Sequence, residues 1–263
     1  MNRKGIILAG GHGTRLMPVT KVVSKHLLPV YDKPMVYYPL ATLLLAGVRD
    51  FLIISNPEDE SSFKKLLGDG SQWDIKISFA TQKAPTGIPE AYLIAEEFLE
   101  GNPSALILGD NFFYGNNLID MLRTASSLDS RNVIFAYNVS DPERYGILEL
   151  ANNEEIAGIE EKPQHPKSNL AITGLYFLDE NASEFSRKLK PSSRGEIEIT
   201  DLLKFYLHAG NLNYRVLGRG CAWMDMGTPE SLLDTAVFIR TIQNRQGLQI
   251  ASIDEIMSNV TRV

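Results

Sequence analysis

The chain has 263 residues, 44% hydrophobic and 22% charged, enough for one large domain or two modest ones. A net charge of −6 and a pI near 5.3 exclude a broad nucleic-acid surface but leave room for local basic residues around a small anionic substrate. The single cysteine, Cys221, excludes an intrachain disulfide and a cysteine-cluster metal site and fits a reducing cytoplasm; no apolar run approaches the roughly 18 residues of a membrane span, and the first one breaks at Gly10, too early for a signal peptide.

The first apolar run, Ile6 to Ala9, reads as a buried strand and breaks into Gly10, Gly11 and Gly13. Glycines so close together let the backbone turn sharply and bare its amides, a cradle for phosphate oxygens. Arg15 adds a permanent charge with forked donors suited to phosphate. Two familiar phosphate loops fail here: no Lys-Ser or Lys-Thr follows, and Leu16 stands where a dinucleotide fingerprint needs its third glycine. A tight turn with a solvated arginine stays open as the plainer reading.

Lys25 lies in a stretch with little helical or strand pattern, from which it can fold back over the glycine loop. Pro34 suits a first helical position, Met35 to Ala46 reads as a buried helix stopped by Gly47, and Phe51 to Ile54 as a second strand. Strand, helix, strand with apolar strands implies a parallel sheet. A short helix at Phe63–Leu67, a strand at Ile75–Ala80, a Pro/Gly-rich loop from Gln82 to Pro89 and a helix from Glu90 to Leu99 follow. The strand Ala105–Leu108 ends in Gly109-Asp110-Asn111, which places Asp110 at the carboxyl edge of the sheet, where α/β folds bind ligands. There it is a metal ligand or a helix cap.

Asn117 to Ser126 reads as a surface helix and Asn132 to Val139 as a strand. After a turn at Asp141-Pro142 come a strand from Gly146, its partner Glu155–Glu160, a polar loop to Asn169 and a strand Ala171–Leu178. This half is richer in β-structure and reads as an elaboration on the same sheet, with no linker between the halves. Helices at Glu184–Leu189 and Asp201–His208 flank the loop KPSSRGEIEIT; the strand Asn213–Leu217 precedes a short Gly-flanked loop holding Asp225. Thr228 and Pro229 open a helix that runs to about Arg245, and the tail from Leu248 is weakly patterned.

Together GIILAGGHGTRLMPVTKVVSKHLLPVYDKPMVYYPL, LLGDGSQW, LILGDNFFYG, DPERYG, EEKPQHPKSNLAITGLYF, SSRGEIEITD and AWMDMGT resemble the sugar-1-phosphate nucleotidylyltransferases, nearest their thymidylyltransferases. The likeness spans nearly the whole chain. It implies a Rossmann-like mixed, mostly parallel sheet with helices on both faces, the nucleotide-diphospho-sugar transferase fold, with a small β-rich sugar-binding elaboration. One domain over 1–263 is expected, with a nucleotide-binding half of about 1–130, a sugar-phosphate half of about 131–228 and a C-terminal helix and tail of about 229–263.

The chemistry implied joins dTTP and α-D-glucose 1-phosphate into dTDP-glucose and pyrophosphate. Bringing two anions into line is an electrostatic and positional task that needs cations and no protein nucleophile. By resemblance, Leu8, Gly10, Gly11 and Thr14 belong to the nucleotide site, Arg15 stabilises the pyrophosphate, and Lys25 holds the α-phosphate. Asp110 and Asp225 would ligate Mg²⁺, and Gln82 with the Gly87 backbone would read thymine. Lys162 and Arg194 would bind the sugar phosphate, while Tyr145, Gly146, Glu161, Tyr176 and Trp223 would line the sugar pocket. His12, His26 and Glu90 depart from the usual residues, with His26 expected to pack against the loop. A cytoplasmic homotetramer feeding deoxysugar and polysaccharide synthesis is implied. Rival readings are UTP or another hexose 1-phosphate as substrate, a non-catalytic nucleotide-sugar binder, and an NAD-linked oxidoreductase, which the missing third glycine disfavours.

Overall fold

The computed structural model describes residues 3–127 and 132–260. Its strands are β1 (Lys4–Ala9), β2 (Pro29–Val30), β3 (Lys33–Pro34), β4 (Asp50–Ser55), β5 (Lys76–Thr81), β6 (Ser104–Leu108), β7 (Asn111–Gly115), β8 (Asn132–Asn138), β9 (Gly146–Leu150), β10 (Ile156–Glu161), β11 (Leu170–Leu178), β12 (Leu212–Leu217) and β13 (Cys221–Asp225). The α-helices are α1 (Tyr37–Leu45), α2 (Glu60–Leu67), α3 (Glu90–Ile94), α4 (Glu96–Leu99), α5 (Leu118–Ser126), α6 (Ala182–Lys188), α7 (Ile199–His208), α8 (Pro229–Gln246) and α9 (Ile253–Val260).

The main sheet runs β10-β9-β11-β6-β1-β4-β5, with β8 and β12 branching from β11. Strands β6, β1, β4 and β5 are mutually parallel, as the apolar runs of β1, β4 and β6 predict. Successive side chains leave opposite faces, so Ile7, Ile53 and Ile107 enter one core with Leu40, Phe63 and Leu122, while Ile6, Leu52 and Leu106 enter another with Tyr92, Leu202 and Tyr206. Helices therefore cover both faces.

The antiparallel strand β11 is where the sheet forks. Its C-terminal half pairs with β6 (Leu175 opposite Ile107), while Ala171 pairs with Ile147 of β9. Between these registers, around Ile172 to Gly174, β6 and β9 diverge and leave an opening at the carboxyl end of β6.

Four expectations change. Pro34 does not start a helix: it pairs with Pro29 across a tight turn in which Tyr31 takes φ 62°, and α1 begins only at Tyr37. The Glu90–Leu99 helix is two pieces, with Ala95 between them. Asp225 is not in a loop but is the last residue of β13, paired antiparallel with β7 so that it lies opposite Asn111. The tail carries α9, whose Ile253 is buried in the core that includes α1. The cap of α8 is as read: the Thr228 hydroxyl accepts from the Ser231 amide, and Pro229 occupies the first turn.

Candidate active site

The glycine loop leaves β1 at the sheet's carboxyl edge. Gly11 has φ 92°, a conformation open to glycine, and its amide donates to Asn56 Oδ1 at 3.0 Å while Asn56 Nδ2 returns a bond to the Gly11 carbonyl. Asn56, just past β4, thus fixes the loop from the neighbouring strand. The loop, Thr14 and Lys25 border a cavity of about 430 Å³. Leu8 is half-buried at the end of β1, and its carbonyl accepts from the Gly109 amide, tying the start of the loop to the end of β6.

Beyond Gly109 the two aspartates come together on the β7–β13 ribbon. Asp110 precedes β7, Asp225 ends β13, and the Met226 amide donates to the Asp110 carbonyl at 2.8 Å. Lys25 Nζ sits 2.5 Å from Asp110 Oδ2, and Asn111 Nδ2 donates to Asp110 Oδ1 at 2.9 Å. Burial acts to raise this carboxyl, but the Lys25 charge and these hydrogen bonds outweigh it and hold Asp110 far below the ordinary carboxylate range. His26 is fully buried beside the pair; burial and the Lys25 charge push its pKa down to about 3, so it is a neutral packing residue, as expected.

Asp225 behaves oppositely. Burial and repulsion from Asp110 raise its pKa, against the pull of Arg144. Its oxygens receive Arg144 Nη2 at 3.5 Å and Tyr145 OH at 3.3 Å, and the Arg15 guanidinium lies close by, against Gly227. Two carboxylates that raise each other's energy, ringed by cations, are a hard-oxygen donor set suited to a divalent ion completed by substrate phosphates. Among the described residues no group of three or more His, Cys, Asp or Glu gathers in the manner of an all-protein metal cage.

The fork of the sheet opens into a cavity of about 470 Å³ lined by Asp110, Asp225, Arg15, Tyr145, Gly146, Glu161, Lys162, Tyr176 and Trp223 among others. Tyr176 and Trp223 are almost fully buried and form its wall; Trp223 Nε1 donates to Asn111 Oδ1 at 2.7 Å and its ring meets Tyr145 edge-on. Glu161 is raised above its ordinary pKa by burial and by Glu198, against Lys162 and Arg194. Lys162 takes φ 43° just past β10, a costly conformation for a side-chain-bearing residue, held there by the hydrogen bond its backbone N–H donates to the Tyr145 carbonyl. Arg194 is not among the residues that line this cavity; it lies 3.5 Å from Glu161, which is, and is shared with Glu196 and Glu198.

Gln82 and Gly87 lie on the other flank, beyond β5. Gly87 has φ 126°, and a Cβ there would collide with the Ile197 carbonyl, so only glycine lets the two loops touch. The Ile197 amide donates to the Thr86 carbonyl at 2.7 Å, linking this loop to the one carrying Arg194.

Three residues escaped the reading of the sequence. Arg144 reaches Asp225 from the 3₁₀ turn at Pro142–Arg144, Asn111 bridges Asp110 to Trp223, and Asn56 braces the glycine loop. Arg144 and Asn111 stand inside stretches that carry the family likeness, which was a usable signal; Asn56 had none.

A glycine loop, two carboxylates and a ring of cations on one sheet edge suit the handling of phosphates, the chemistry of a nucleotidyltransferase. Residues 4–242 match the family model described as nucleotidyl transferase. A glucose-1-phosphate thymidylyltransferase of Xanthomonas campestris is 56% identical over 254 residues, 97% of this chain and 86% of that protein. The enzyme of that name from Neisseria meningitidis is 55% identical over 253 residues, covering 96% and 88%. A Bacillus anthracis crystal structure bearing the same family name superposes with a TM-score of 0.83 at 37% identity, over 90% of this chain and 95% of that one. A UDP-glucose pyrophosphorylase superposes with a TM-score of 0.80 at 24% identity, covering 92% and 100%, a likeness of fold. The chain belongs to the nucleotidyl transferase family, in its glucose-1-phosphate thymidylyltransferase branch.

Proposed function

We propose that the protein transfers a thymidylyl group from dTTP to the phosphate of α-D-glucose 1-phosphate, releasing pyrophosphate. The observation that carries this reading is the meeting of Lys25, Asp110, Asp225 and Arg15 at one crevice, between the glycine loop and the cavity of the forked sheet. A phosphate oxygen of the sugar phosphate forms the new bond to the α-phosphorus, and the bond from that phosphorus to the β-phosphate oxygen breaks.

Each side chain has a task in that displacement. The Gly10, Gly11 and Thr14 loop cradles the triphosphate, with Leu8 beneath it. Arg15 neutralises charge on the departing pyrophosphate. Lys25, with three donors, keeps Asp110 and takes an α-phosphate oxygen together, so the position of the phosphorus is tied to the acidic pair. Lys162 and Arg194 receive the sugar phosphate at the far side, which sets the line of attack. Glu161 accepts from sugar hydroxyls, while Tyr145, Gly146, Tyr176 and Trp223 shape the pocket and exclude water. Asp110 and Asp225 would hold Mg²⁺, which when bound supplies Lewis-acid charge to the phosphate oxygens. A homotetramer working in the cytoplasm completes the reading.

A panel of dTTP, dUTP, UTP and dCTP against several hexose 1-phosphates, with Mg²⁺ and then with EDTA, tests it by pyrophosphate release. The fastest turnover is expected with dTTP and glucose 1-phosphate and its loss with EDTA. Preference for another pair reassigns the substrates; silence throughout supports a nucleotide-sugar binder instead.

A further inference from the structure

The turn that carries Arg194 is tied to one buried oxygen. Glu198, the residue before α7, is almost fully buried. Its Oε1 accepts from the Ser192 hydroxyl at 2.6 Å and lies 3.5 Å from Arg194 Nε. The Ser192 hydroxyl oxygen in turn accepts from the Arg194 amide at 3.1 Å. The Ser192 amide donates to the Glu196 carbonyl and the Gly195 amide to the Ser192 carbonyl, which closes the turn. A single carboxylate oxygen thus holds Arg194 twice, through its backbone and through its side chain. The other guanidinium nitrogens are placed differently: Nη1 lies 3.5 Å from Glu161, and Nη2 lies 3.2 Å from Glu196, whose side chain is half-exposed. With Nε anchored, Nη1 and Nη2 form the fork that can exchange these contacts for a phosphate, which a planar guanidinium grips with two bonds.

We infer that Glu198 is a positioning residue for sugar-phosphate binding: from outside the cavity of the forked sheet it anchors Arg194 so that the terminal nitrogens stay beside Glu161, which lines it. It rests on the proposed function in taking Arg194 as a ligand of the sugar phosphate. A carboxylate beside a guanidinium also cancels part of its charge, which alone would weaken phosphate binding. Anchoring outweighs that effect. Without Glu198 the arginine still faces Glu161 and Glu196, but on a side chain with several rotatable bonds, whose freedom must then be given up when the phosphate binds.

The test is calorimetric binding of glucose 1-phosphate to protein saturated with Mg²⁺ and α,β-methylene-dTTP, an analogue that cannot react. Wild type, Glu198→Gln, Arg194→Ala and the double variant are compared, each checked for folding by circular dichroism, and binding of the analogue is measured separately. Glu198→Gln is expected to bind glucose 1-phosphate about tenfold more weakly, the scale of one misplaced charged contact, and the analogue within about twofold of wild type. Added to Arg194→Ala, it should cost nothing more, because its effect runs through that arginine. The analogue is a sensitive control: the Ile197 amide donates to the Thr86 carbonyl, next to Gly87, so a collapse of this segment would reach the nucleotide loop as well. Equal losses on both ligands, the same loss repeated in the Arg194→Ala background, or unchanged or tighter glucose 1-phosphate binding in Glu198→Gln would each overturn the inference. Should Glu198→Gln not fold, Ser192→Ala serves: glucose 1-phosphate weakened about threefold or more with the analogue spared supports it, and no change overturns it. A wild type that binds glucose 1-phosphate yet releases no pyrophosphate from dTTP would refute the proposed reaction and leave Glu198 to be judged by binding; one that binds no glucose 1-phosphate overturns both.

Discussion

The ammonium of Lys25 lies 2.5 Å from Oδ2 of Asp110, so two groups expected to serve different ligands hold each other in the protein alone. Both side chains are largely buried, and each would be poorly solvated without the other. The lysine thus prepares the site: it keeps Asp110 ionised and aimed until other cations and phosphates arrive.

Lys25→Ala should reduce pyrophosphate release by about 10²–10³-fold, the scale of losing one preorganised charge at a reacting centre. It should also lower the melting temperature, because Asp110 is left without its cation, by about 1–3 kcal/mol of stability. Millimolar Mg²⁺ should recover part of that loss in the variant and add less to the wild type. Lys25→Arg should not restore activity, since a planar fork cannot replace a compact ammonium. Thermal shift and steady-state assays on the three proteins check this.

The two aspartates predict an asymmetric pH response. Asp225 has a raised pKa, so its charged form is disfavoured in the folded protein and its stabilising contribution fades as pH rises through its ionisation. Asp110 has a depressed pKa; the stability it lends is present above the ordinary carboxylate range and is lost only in strong acid. On the proposed reading, in which Asp225 would hold Mg²⁺, ion binding needs it ionised and so competes with its proton. The acid limb of activity should therefore lie above the pH of an ordinary aspartate and move downward as Mg²⁺ is raised. A limb that ignores Mg²⁺ would dissociate Asp225 from the ion.

Gly227 offers a way to move Arg15 without replacing it. A Cβ at position 227 would stand 2.6 Å from Arg15 Nη2, the tip of a flexible side chain, and 3.6 Å from Asp225 Oδ2. Gly227→Ala should fold with a near-normal melting temperature while kcat falls roughly tenfold, the scale of displacing one phosphate-facing charge by an ångström or two. An unchanged kcat would place Arg15 outside the reaction.

Much of this site was legible before folding because its groups sit at strand ends. An apolar run that stops at glycine marks a carboxyl edge, and β1 and β6 deliver the glycine loop and Asp110 that way. The partnership of β7 with β13 was not legible. Cys221 to Asp225 lies between glycine-containing turns and finds its register on a strand over a hundred residues earlier, information carried by packing and not by local pattern. Pro34 misled for a related reason: its fixed φ suits a first helical turn, yet the neighbouring Tyr31 turn gives it a ribbon partner first. Arg144 was hidden because a surface-looking arginine in a turn gains meaning only when Asp225 arrives from β13.

Asn111 is where that ribbon, Asp110 and the cavity of the forked sheet meet. Its Nδ2 donates to Asp110, and its Oδ1 accepts from Trp223 Nε1 at 2.7 Å and from the Gly174 amide at 3.1 Å. The residue is buried, so Asn111→Ala would strand two donors and should destabilise the protein by about 2–4 kcal/mol, a fall of several degrees in melting temperature. Asn111→Asp separates the roles. It keeps both accepted bonds, so most stability should return, but it sets a second carboxylate against Asp110 where a donor had been. The proton affinity of Asp110 must then rise, and the acid limb of activity should shift upward in this variant even though its melting temperature is nearly restored. If Asn111→Asp regained stability and the wild-type pH profile together, the bond to Asp110 would be without consequence for the chemistry.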